Sequence, residues 1–188
     1  MITKDIGFFE HYIKEALRQS SDPVWKIKNL IMSTLVSMHT SVENGTKTPL
    51  NPILGETLYK ESANGTRVYC EQTSHHPPIS HFLIEGPADC PFRLHGYVEY
   101  KVQIKGAFTK VEVSSPGKVT LELPDKTTYI AEYPHFEVEG LLTTTKILSA
   151  KGEMILRDLT NNYECKATFD VAEKKRTTGF MSFFTANP

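Results

Sequence analysis

From Leu58 onward, the chain consists of short runs in which apolar and polar residues alternate, separated by residues typical of turns. A period of two places apolar side chains on one face of a strand and polar side chains on the other. Runs of this kind joined by short turns predict an antiparallel meander, because antiparallel neighbours can be linked by hairpins. The runs are RVYCEQ, ISHFLIEG, RLHGYVEYKVQI, TKVEVSS, KVTLEL, HFEVEGLL, GEMILRDL and YECKATFDV. We expect the meander to cover residues 57 to about 184.

Residues from about 7 to 42 have the apolar spacing of α-helices instead, as at Tyr12 and Ala16. This pattern breaks at SSDPVW, where Asp22 is suited to cap a helix and Pro23 fits its first position, which needs no backbone N–H. The helix that follows is rich in apolar residues, so we expect it to pack on the sheet. The predicted fold is mainly β, an antiparallel meander with N-terminal α-helices.

Length and charge narrow the function classes. A chain of 188 residues fits one domain, covering residues 1–188, with a core large enough to need no disulfide staples. Lys and Arg total 21 against 22 for Asp and Glu, a formal net charge of −1. No global field therefore attracts the protein to nucleic acid or to an anionic membrane, and we expect no nucleic-acid partner.

The sequence has none of the common local patterns for nucleophilic hydrolysis, zinc proteolysis or nucleotide binding, so we expect no enzyme and no cofactor. The three cysteines, Cys70, Cys90 and Cys165, are far apart and lack metal-site spacing, which favours a reducing compartment. The N-terminus has no signal-peptide core, and no apolar run reaches the ~18 residues of a membrane span. We expect a cytoplasmic protein.

The stretch EQTSHHPPIS, from Glu71 to Ser80, admits two interpretations. Prolines remove hydrogen-bond donors from a strand, so the stretch fits a polar strand end that Pro77 and Pro78 terminate. Alternatively, His75 and His76 beside a rigid corner present ring N–H donors in a fixed direction, which suits a phosphate. A metal site is disfavoured, because adjacent side chains on a strand point to opposite faces and no further ligands complete it.

A second irregular stretch, KTPLNPILGE, lies between the predicted helices and the first strand. A segment with two prolines is stiff and poor in internal hydrogen bonds, so the backbone N–H groups of Leu50 and Asn51 remain available to an outside acceptor. The residues alone leave open whether this segment is a connector or a binding loop.

Together, KTPLNPILGE and EQTSHHPPIS resemble the oxysterol-binding-protein-related family of lipid transfer proteins, whose fingerprint is Glu-Gln-x-Ser-His-His-Pro-Pro. The resemblance runs from about Ser20 to Phe169 and corresponds to the front half of the family's ligand-binding domain. It implies an incomplete antiparallel β-barrel that encloses one lipid, with helices closing it and a phosphoinositide headgroup at the mouth.

By position in this family, His75 and His76 correspond to the pair that binds the 4-phosphate of phosphatidylinositol 4-phosphate. Leu50, through its backbone N–H, and Asn51, through its side chain, correspond to the loop over residues 47–56 that holds the rest of the headgroup. The family usually has Lys where this chain has Thr48, and Lys47, one residue earlier, is the candidate for the same headgroup contact.

The resemblance implies transfer between membranes, in which phosphatidylinositol 4-phosphate exchanges for a sterol or another lipid during peripheral contact with each membrane. The alternative is a phosphoinositide-binding adaptor that transfers nothing and has no enclosed lipid cavity. A catalytic histidine enzyme would need a second positioned acid or base, which the sequence does not offer.

A sheet that stops after about eight strands leaves unpaired backbone groups at its edge, and such an edge invites pairing with another chain. We therefore expect self-association near ECKATFDV, or a separate partner that carries the rest of the domain. The alternative is that the segment KKRTTGFMSFF closes the edge, with Phe180, Phe183 and Phe184 as its apolar side chains.

Overall fold

The computed structural model describes residues 6–18, 21–44, 52–106, 108–142 and 147–169. The helices are α1 (Ile6–Arg18) and α2 (Pro23–Asn44). The strands are β1 (Thr57–Glu61), β2 (Arg67–His75), β3 (Pro78–Glu85), β4 (Arg93–Glu99), β5 (Lys101–Lys105), β6 (Lys110–Ser114), β7 (Val119–Glu122), β8 (Thr128–Glu132), β9 (His135–Glu139), β10 (Ile147–Asp158) and β11 (Tyr163–Phe169). Every strand pairing is antiparallel.

Six of the short strands are halves of three longer, bent strands. β4 pairs with β7, and β5, which continues β4, pairs with β6. On the next side, β7 pairs with β8, and β6 pairs with β9. The 12 residues of β10 lie against both β8 and β9. The sheet is therefore an up-and-down meander of eight long strands in chain order, ending with β11 beside the second half of β10.

No pairing joins the last strands to β1 within the described ranges, so the sheet remains open. The predicted fold class, an antiparallel meander forming part of an incomplete barrel with N-terminal helices, is confirmed. The prediction that strands continue to about residue 184 lies partly outside the described residues, which end at Phe169.

Strand β8 is not predicted by the sequence pattern. Its five residues, TYIAE, stand between the turn at Lys126, where φ is 66°, and Pro134. The alternation is hidden because Ile130, on the outer side, is apolar like its buried neighbours Tyr129 and Ala131. Pairing with β7 and β10 on both sides specifies this strand, and no local pattern reveals such pairing.

The start of α2 follows local chemistry. The Asp22 carboxylate accepts hydrogen bonds from the backbone N–H groups of Val24, at 2.9 Å, and Trp25, at 3.1 Å. Pro23 occupies the first helical position. The predicted cap is confirmed, and it satisfies donors that a helix leaves unpaired in its first turn.

Helix α2 packs on one face of the sheet and contacts β10 and β11. Lys26, which is buried on this helix, forms an ion pair with Asp125 in the turn between β7 and β8. Removing one partner of such a pair leaves an uncompensated charge, so the pair specifies where the helix lies. The core residues of the helices and the sheet each expose less than a tenth of their surface. They are Ile13, Ala16, Ile27, Leu30, Ile31, Val68, Phe82, Ile84, Cys90, Phe92, Val119, Leu121, Leu123, Tyr129, Ala131, Met154, Leu156 and Cys165.

The three cysteines are unpaired thiols. Burial raises the pKa of Cys90 to about 11, and it also raises the pKa values of Cys70 and Cys165. Since the thiolate is the reactive form, these thiols are poor nucleophiles at neutral pH. They serve as small apolar residues in and beside the core.

The apolar face that carries the core extends beyond the helices. Directly paired residues share a face, and the register of β4 with β7 continues unchanged into that of β5 with β6. We call the part of this face on β5, β6, β9 and the first half of β10 the open apolar face. It consists of Val102, Ile104, Val111, Val113, Phe136, Val138, Leu148 and Ala150. None of these eight residues belongs to the buried core.

Truncating an apolar side chain to alanine should lower the free energy of unfolding more in the covered half of the apolar face than on the open apolar face. Leu30 in α2 is 1% exposed and faces Leu121 and Leu156 across the layer boundary, whereas Val102 on β5 is 61% exposed. We expect Leu30→Ala to lower the free energy of unfolding by about 2–5 kcal/mol, measured with urea. The control Val102→Ala changes it by about 0.5 kcal/mol or less. Equal losses in the two variants would mean that the helices do not define the core.

Candidate functional site

The His-His-Pro-Pro stretch forms the turn of the hairpin between β2 and β3. His75 is the last residue of β2, Pro78 is the first residue of β3, and these two residues pair with each other. The peptide bond between His76 and Pro77 is cis, as in turns that have a cis-proline at the third position. The interpretation of the prolines as a strand terminator is therefore half correct, because they end one strand and begin the next.

The rings of His75 and His76 meet edge to face, with centroids 4.8 Å apart and an interplanar angle of 66°. The expectation that adjacent side chains point to opposite faces is wrong here, because His76 lies in the turn rather than in the strand. Both side chains are exposed, and neither forms an ion pair with a carboxylate of the described chain. Their ring N–H groups are therefore accessible to a ligand.

The third histidine of the region is engaged differently. The Nδ1 atom of His81 lies 2.8 Å from the Oγ1 atom of Thr73, and the centroids of the His81 and Tyr97 rings are 5.5 Å apart with an interplanar angle of 37°. Thr73 is the extra residue at an irregularity of the β2–β3 register between Gln72 and Ser74. His81 supports the outer face of the hairpin rather than the turn.

The position of His75 along the sheet follows from register. His75 pairs with Pro78, and Pro78 shares its face with Ser80 and the core residue Phe82. His75 therefore stands on the side of the sheet that carries the apolar core. If the β3–β4 register is continued by one residue, Tyr100 lies opposite Pro78 and therefore level with His75. Tyr100 is the residue that separates β4 from β5. The histidine turn thus lies where the covered half of the apolar face ends and the open apolar face begins.

Gln72, a residue that was not predicted from the sequence to have a role, ties the two irregular stretches together. Its side chain is buried and its Oε1 atom accepts a hydrogen bond from Ser80 at 2.5 Å. Its backbone carbonyl accepts the N–H of Gly55 at 2.8 Å, and its N–H donates to Glu56 at 3.0 Å. The fingerprint glutamine therefore holds the end of the 47–56 loop beside the histidine turn.

Three of the five predicted site residues, Lys47, Leu50 and Asn51, lie outside the described residues. The described end of their loop, residues 52–56, is ordered by local bonds: the N–H of Ile53 donates to the Glu56 carboxylate at 2.9 Å, and the N–H of Glu56 donates to Ile53 at 3.0 Å. The structure therefore brings the end of this loop to the histidine turn, and the roles of the three residues remain predictions.

Within the described ranges, one group of side chains has the spacing of possible metal ligands, namely Glu112, His135 and Glu137 on β6 and β9. Lys105, Lys110 and Lys151 already form ion pairs with these two carboxylates. The group does not include the histidine turn. Neither of the two described helices has the length and hydropathy to cross a membrane.

Comparison with known proteins identifies the family. The family model for oxysterol-binding protein matches residues 2–181. The chain belongs to the oxysterol-binding protein family. It is 28% identical over 186 residues to oxysterol-binding protein 9 of Dictyostelium discoideum, which covers 98% of this chain and 41% of that protein. It is 38% identical over 119 residues to human oxysterol-binding protein-related protein 1, covering 62% of this chain and 12% of that protein.

Solved structures show the same fold. The Osh3 ORD of Saccharomyces cerevisiae, in complex with PI(4)P, aligns with a TM-score of 0.73 and 18% identity over 93% of this chain and 46% of that one. The Osh1 ORD domain in complex with ergosterol aligns with a TM-score of 0.70 and 23% identity over 86% of this chain and 39% of that one. The chain thus spans less than half the length of these relatives, and the predicted resemblance to the front part of the domain is confirmed.

The exposed histidine rings and the buried side chain of Gln72 should contribute differently to the stability of the fold. We expect His75→Ala combined with His76→Ala to change the free energy of unfolding by about 0.5 kcal/mol or less, since both side chains are exposed. The control Gln72→Ala should cost about 1–3 kcal/mol, because it leaves Ser80 without its partner. Urea unfolding of both variants measures this. A double mutant less stable than Gln72→Ala would assign the histidines to the fold.

Proposed function

We propose that this chain binds and transfers membrane lipids, taking up phosphatidylinositol 4-phosphate by its headgroup and exchanging it for a sterol or another lipid. His75 and His76 bind the 4-phosphate, and Lys47, Leu50 and Asn51 bind the rest of the headgroup. The protein works in the cytoplasm, in peripheral contact with the membranes that it serves. The role requires no covalent step.

One observation carries this proposal: an exposed histidine pair stands at the boundary between the covered core and the open apolar face. A membrane lipid has the same division, with a charged headgroup joined to apolar tails. Ring N–H donors suit the phosphate, because hydrogen bonds to an ionised acceptor are about twice as strong as neutral ones. The likeness to ORD structures that hold PI(4)P and ergosterol supports the assignment of the two ligand classes.

The open apolar face supplies the driving force for carriage. Each methylene group that leaves water gains about 0.8 kcal/mol, so a tail placed against a row of valine, isoleucine and phenylalanine side chains is far better solvated than in water. On the covered half, the cavity that Leu30, Leu121 and Leu156 help to line has a volume of about 20 Å³, which suits one water molecule rather than a lipid tail. We therefore place the lipid tail on the open apolar face.

The second candidate is a phosphoinositide-binding adaptor that does not transfer lipid. The observation that favours it is the same open face, since the described residues do not enclose a tail lying there. An adaptor would use the histidine turn to recognise the headgroup while the tails remain in the membrane. The two candidates differ in whether lipid leaves the vesicle.

Lipid extraction distinguishes the two. Vesicles of phosphatidylcholine with a few per cent of radiolabelled phosphatidylinositol 4-phosphate are incubated with the protein and removed by centrifugation. We expect labelled lipid in the supernatant with the parent chain and about tenfold less with His75→Ala combined with His76→Ala, since two charge-assisted hydrogen bonds are lost.

The control for extraction is His95→Ala, which removes a partly exposed histidine on β4 that lies beside Glu122. It should extract as the parent chain does. Label that stays with vesicles while the protein co-sediments would favour the adaptor. Equal extraction by the double mutant and the parent would remove the histidine turn from the site.

The open edge of the sheet gives a separate prediction. β11 pairs with β10 on one side only, so its other edge presents unpaired backbone groups within the described part of the chain. We propose that this edge associates with a second copy of the chain. The predicted alternative, closure by the segment with Phe180, Phe183 and Phe184, lies outside the described residues.

Light scattering over a concentration series tests this edge. We expect the apparent mass of the purified chain to rise from 21.2 kDa towards twice that value as concentration increases. Lys166→Pro, which removes a backbone donor from β11 beside Cys165, should weaken association if this strand is the contact. A constant monomer mass at all concentrations would contradict association between copies.

A further inference from the structure

Two hairpin loops lie side by side at the far end of the open apolar face. The loop between β5 and β6 contains Phe108, and the loop between β9 and β10 contains Leu142. They are neighbours because Lys110, which begins β6, pairs with Glu139, which ends β9. Adjacent strands are about 4.8 Å apart, so the two loops form one continuous tip. Phe108 is 69% exposed and Leu142 is 76% exposed, and we call these two residues the apolar tip.

Phe108 is an unfavourable choice for its turn. Its φ angle is 70°, in the left-handed region, where glycine or asparagine is preferred and a bulky side chain is rare. The turn itself is held by bonds to the Gly106 carbonyl from the N–H of Thr109, at 3.1 Å, and from its hydroxyl, at 2.6 Å. None of these bonds uses the phenyl ring. Both the backbone and the exposed ring therefore cost stability, which indicates that the ring acts outside the folded chain.

The described residues of the tip carry no charge, and the one charged residue in the sequence of the two loops, Lys146, lies outside the described residues. The described residues of the two loops, Gly106, Phe108, Thr109, Gly140, Leu141 and Leu142, are all uncharged. The lysines at the base of the tip are neutralised on the polar face of the same strands. Lys105 pairs with Glu112, and Lys110 pairs with Glu137 at 3.0 Å and Glu139 at 2.8 Å. The described lysines at the base of the tip are therefore paired with carboxylates of the chain itself.

We propose that the apolar tip inserts into the interface of a lipid bilayer and orients the protein for lipid uptake. Two projecting apolar side chains suit a fluid apolar medium, which needs no complementary shape, better than a protein surface, which does. The open apolar face begins at this tip and continues to the level of His75. This inference rests on the proposed function, since it gives the lipid a continuous apolar path from the membrane to the headgroup site.

The histidine turn and the apolar tip point towards the same end of the sheet, which supports this orientation of the protein on the membrane. The histidine turn lies at the end of β3 that pairs with the last residues of β4, and β5 continues from β4 in that direction to the apolar tip. A membrane that meets the tip therefore lies at the end of the sheet towards which the turn points. Five residues of β5 separate the two levels, a distance of about 17 Å at 3.4 Å per residue.

Quenching by brominated lipid tests insertion directly. Phe108→Trp places an indole at the tip, and Leu159→Trp places one at an exposed leucine in the turn between β10 and β11, at the opposite end of the sheet. The native Trp25 contributes equally to both variants. With vesicles of brominated phosphatidylcholine and no phosphoinositide, we expect the fluorescence of Phe108→Trp to fall and that of Leu159→Trp to remain as with unbrominated vesicles. Equal quenching of both, or of neither, would overturn the proposal.

A loss-of-contact variant separates insertion from folding. Phe108→Asn suits the left-handed backbone, so the thermal midpoint should stay the same or rise. Partition onto plain phosphatidylcholine vesicles should fall by about tenfold or more, because the apolar side chain is lost. Partition of the parent chain onto these vesicles should depend little on NaCl concentration between about 0.1 and 0.5 M, since the contact is apolar. Unchanged partition of Phe108→Asn would contradict the inference.

A soluble ligand keeps this test independent of the proposed function. Binding of water-soluble dioctanoyl phosphatidylinositol 4-phosphate needs no membrane, so Phe108→Asn should bind it as the parent chain does. His75→Ala combined with His76→Ala should lose that binding but keep partition onto plain vesicles. Loss of soluble-ligand binding in Phe108→Asn would show that the tip belongs to the headgroup site, and would overturn its assignment as a membrane contact.

Discussion

The structure depends on the contact between helix α2 and one face of the antiparallel sheet. An antiparallel meander with alternating residues has one apolar face, and that face must be removed from water for the sheet to be stable. Helix α2 contacts β10 and β11, and its buried residue Leu30 lies beside Leu121 of β7, Tyr129 of β8 and Leu156 of β10. The strands are longer than the helices can cover, so the open apolar face carries the same alternation without the same burial.

This mismatch between strand length and helix coverage places the functional surfaces. The hairpin of β2 and β3 ends at the level where coverage ends, because Pro77 and Pro78 reverse the chain there. Its two histidines therefore stand beside the uncovered half of the face. Gln72, buried under the same turn, brings the proline-rich loop to this level through backbone bonds to Gly55 and Glu56. The exposed histidine pair and the open apolar face are thus contiguous without any further structural element.

Much of the fold could be predicted from sequence because it follows from local rules. Period-two alternation specified most strands, and Asp22 with Pro23 marked the start of α2. β8 was missed because its outward Ile130 hides the alternation and its identity as a strand comes from neighbours on both sides. For the site, the fingerprint residues indicated His75 and His76. Neither the contact between the two rings nor the role of Gln72 could be predicted, because both depend on where the turn begins.

Native mass spectrometry of the chain after incubation with mixed vesicles shows whether the chain carries a lipid away from a membrane. The vesicles contain phosphatidylcholine, ergosterol and phosphatidylinositol 4-phosphate, and the protein is separated from them before measurement. The account predicts a species with one bound lipid per chain, in which phosphatidylinositol 4-phosphate or the sterol is present and phosphatidylcholine is minor. A chain that returns from the vesicles without lipid, at its mass of 21.2 kDa, would contradict lipid carriage.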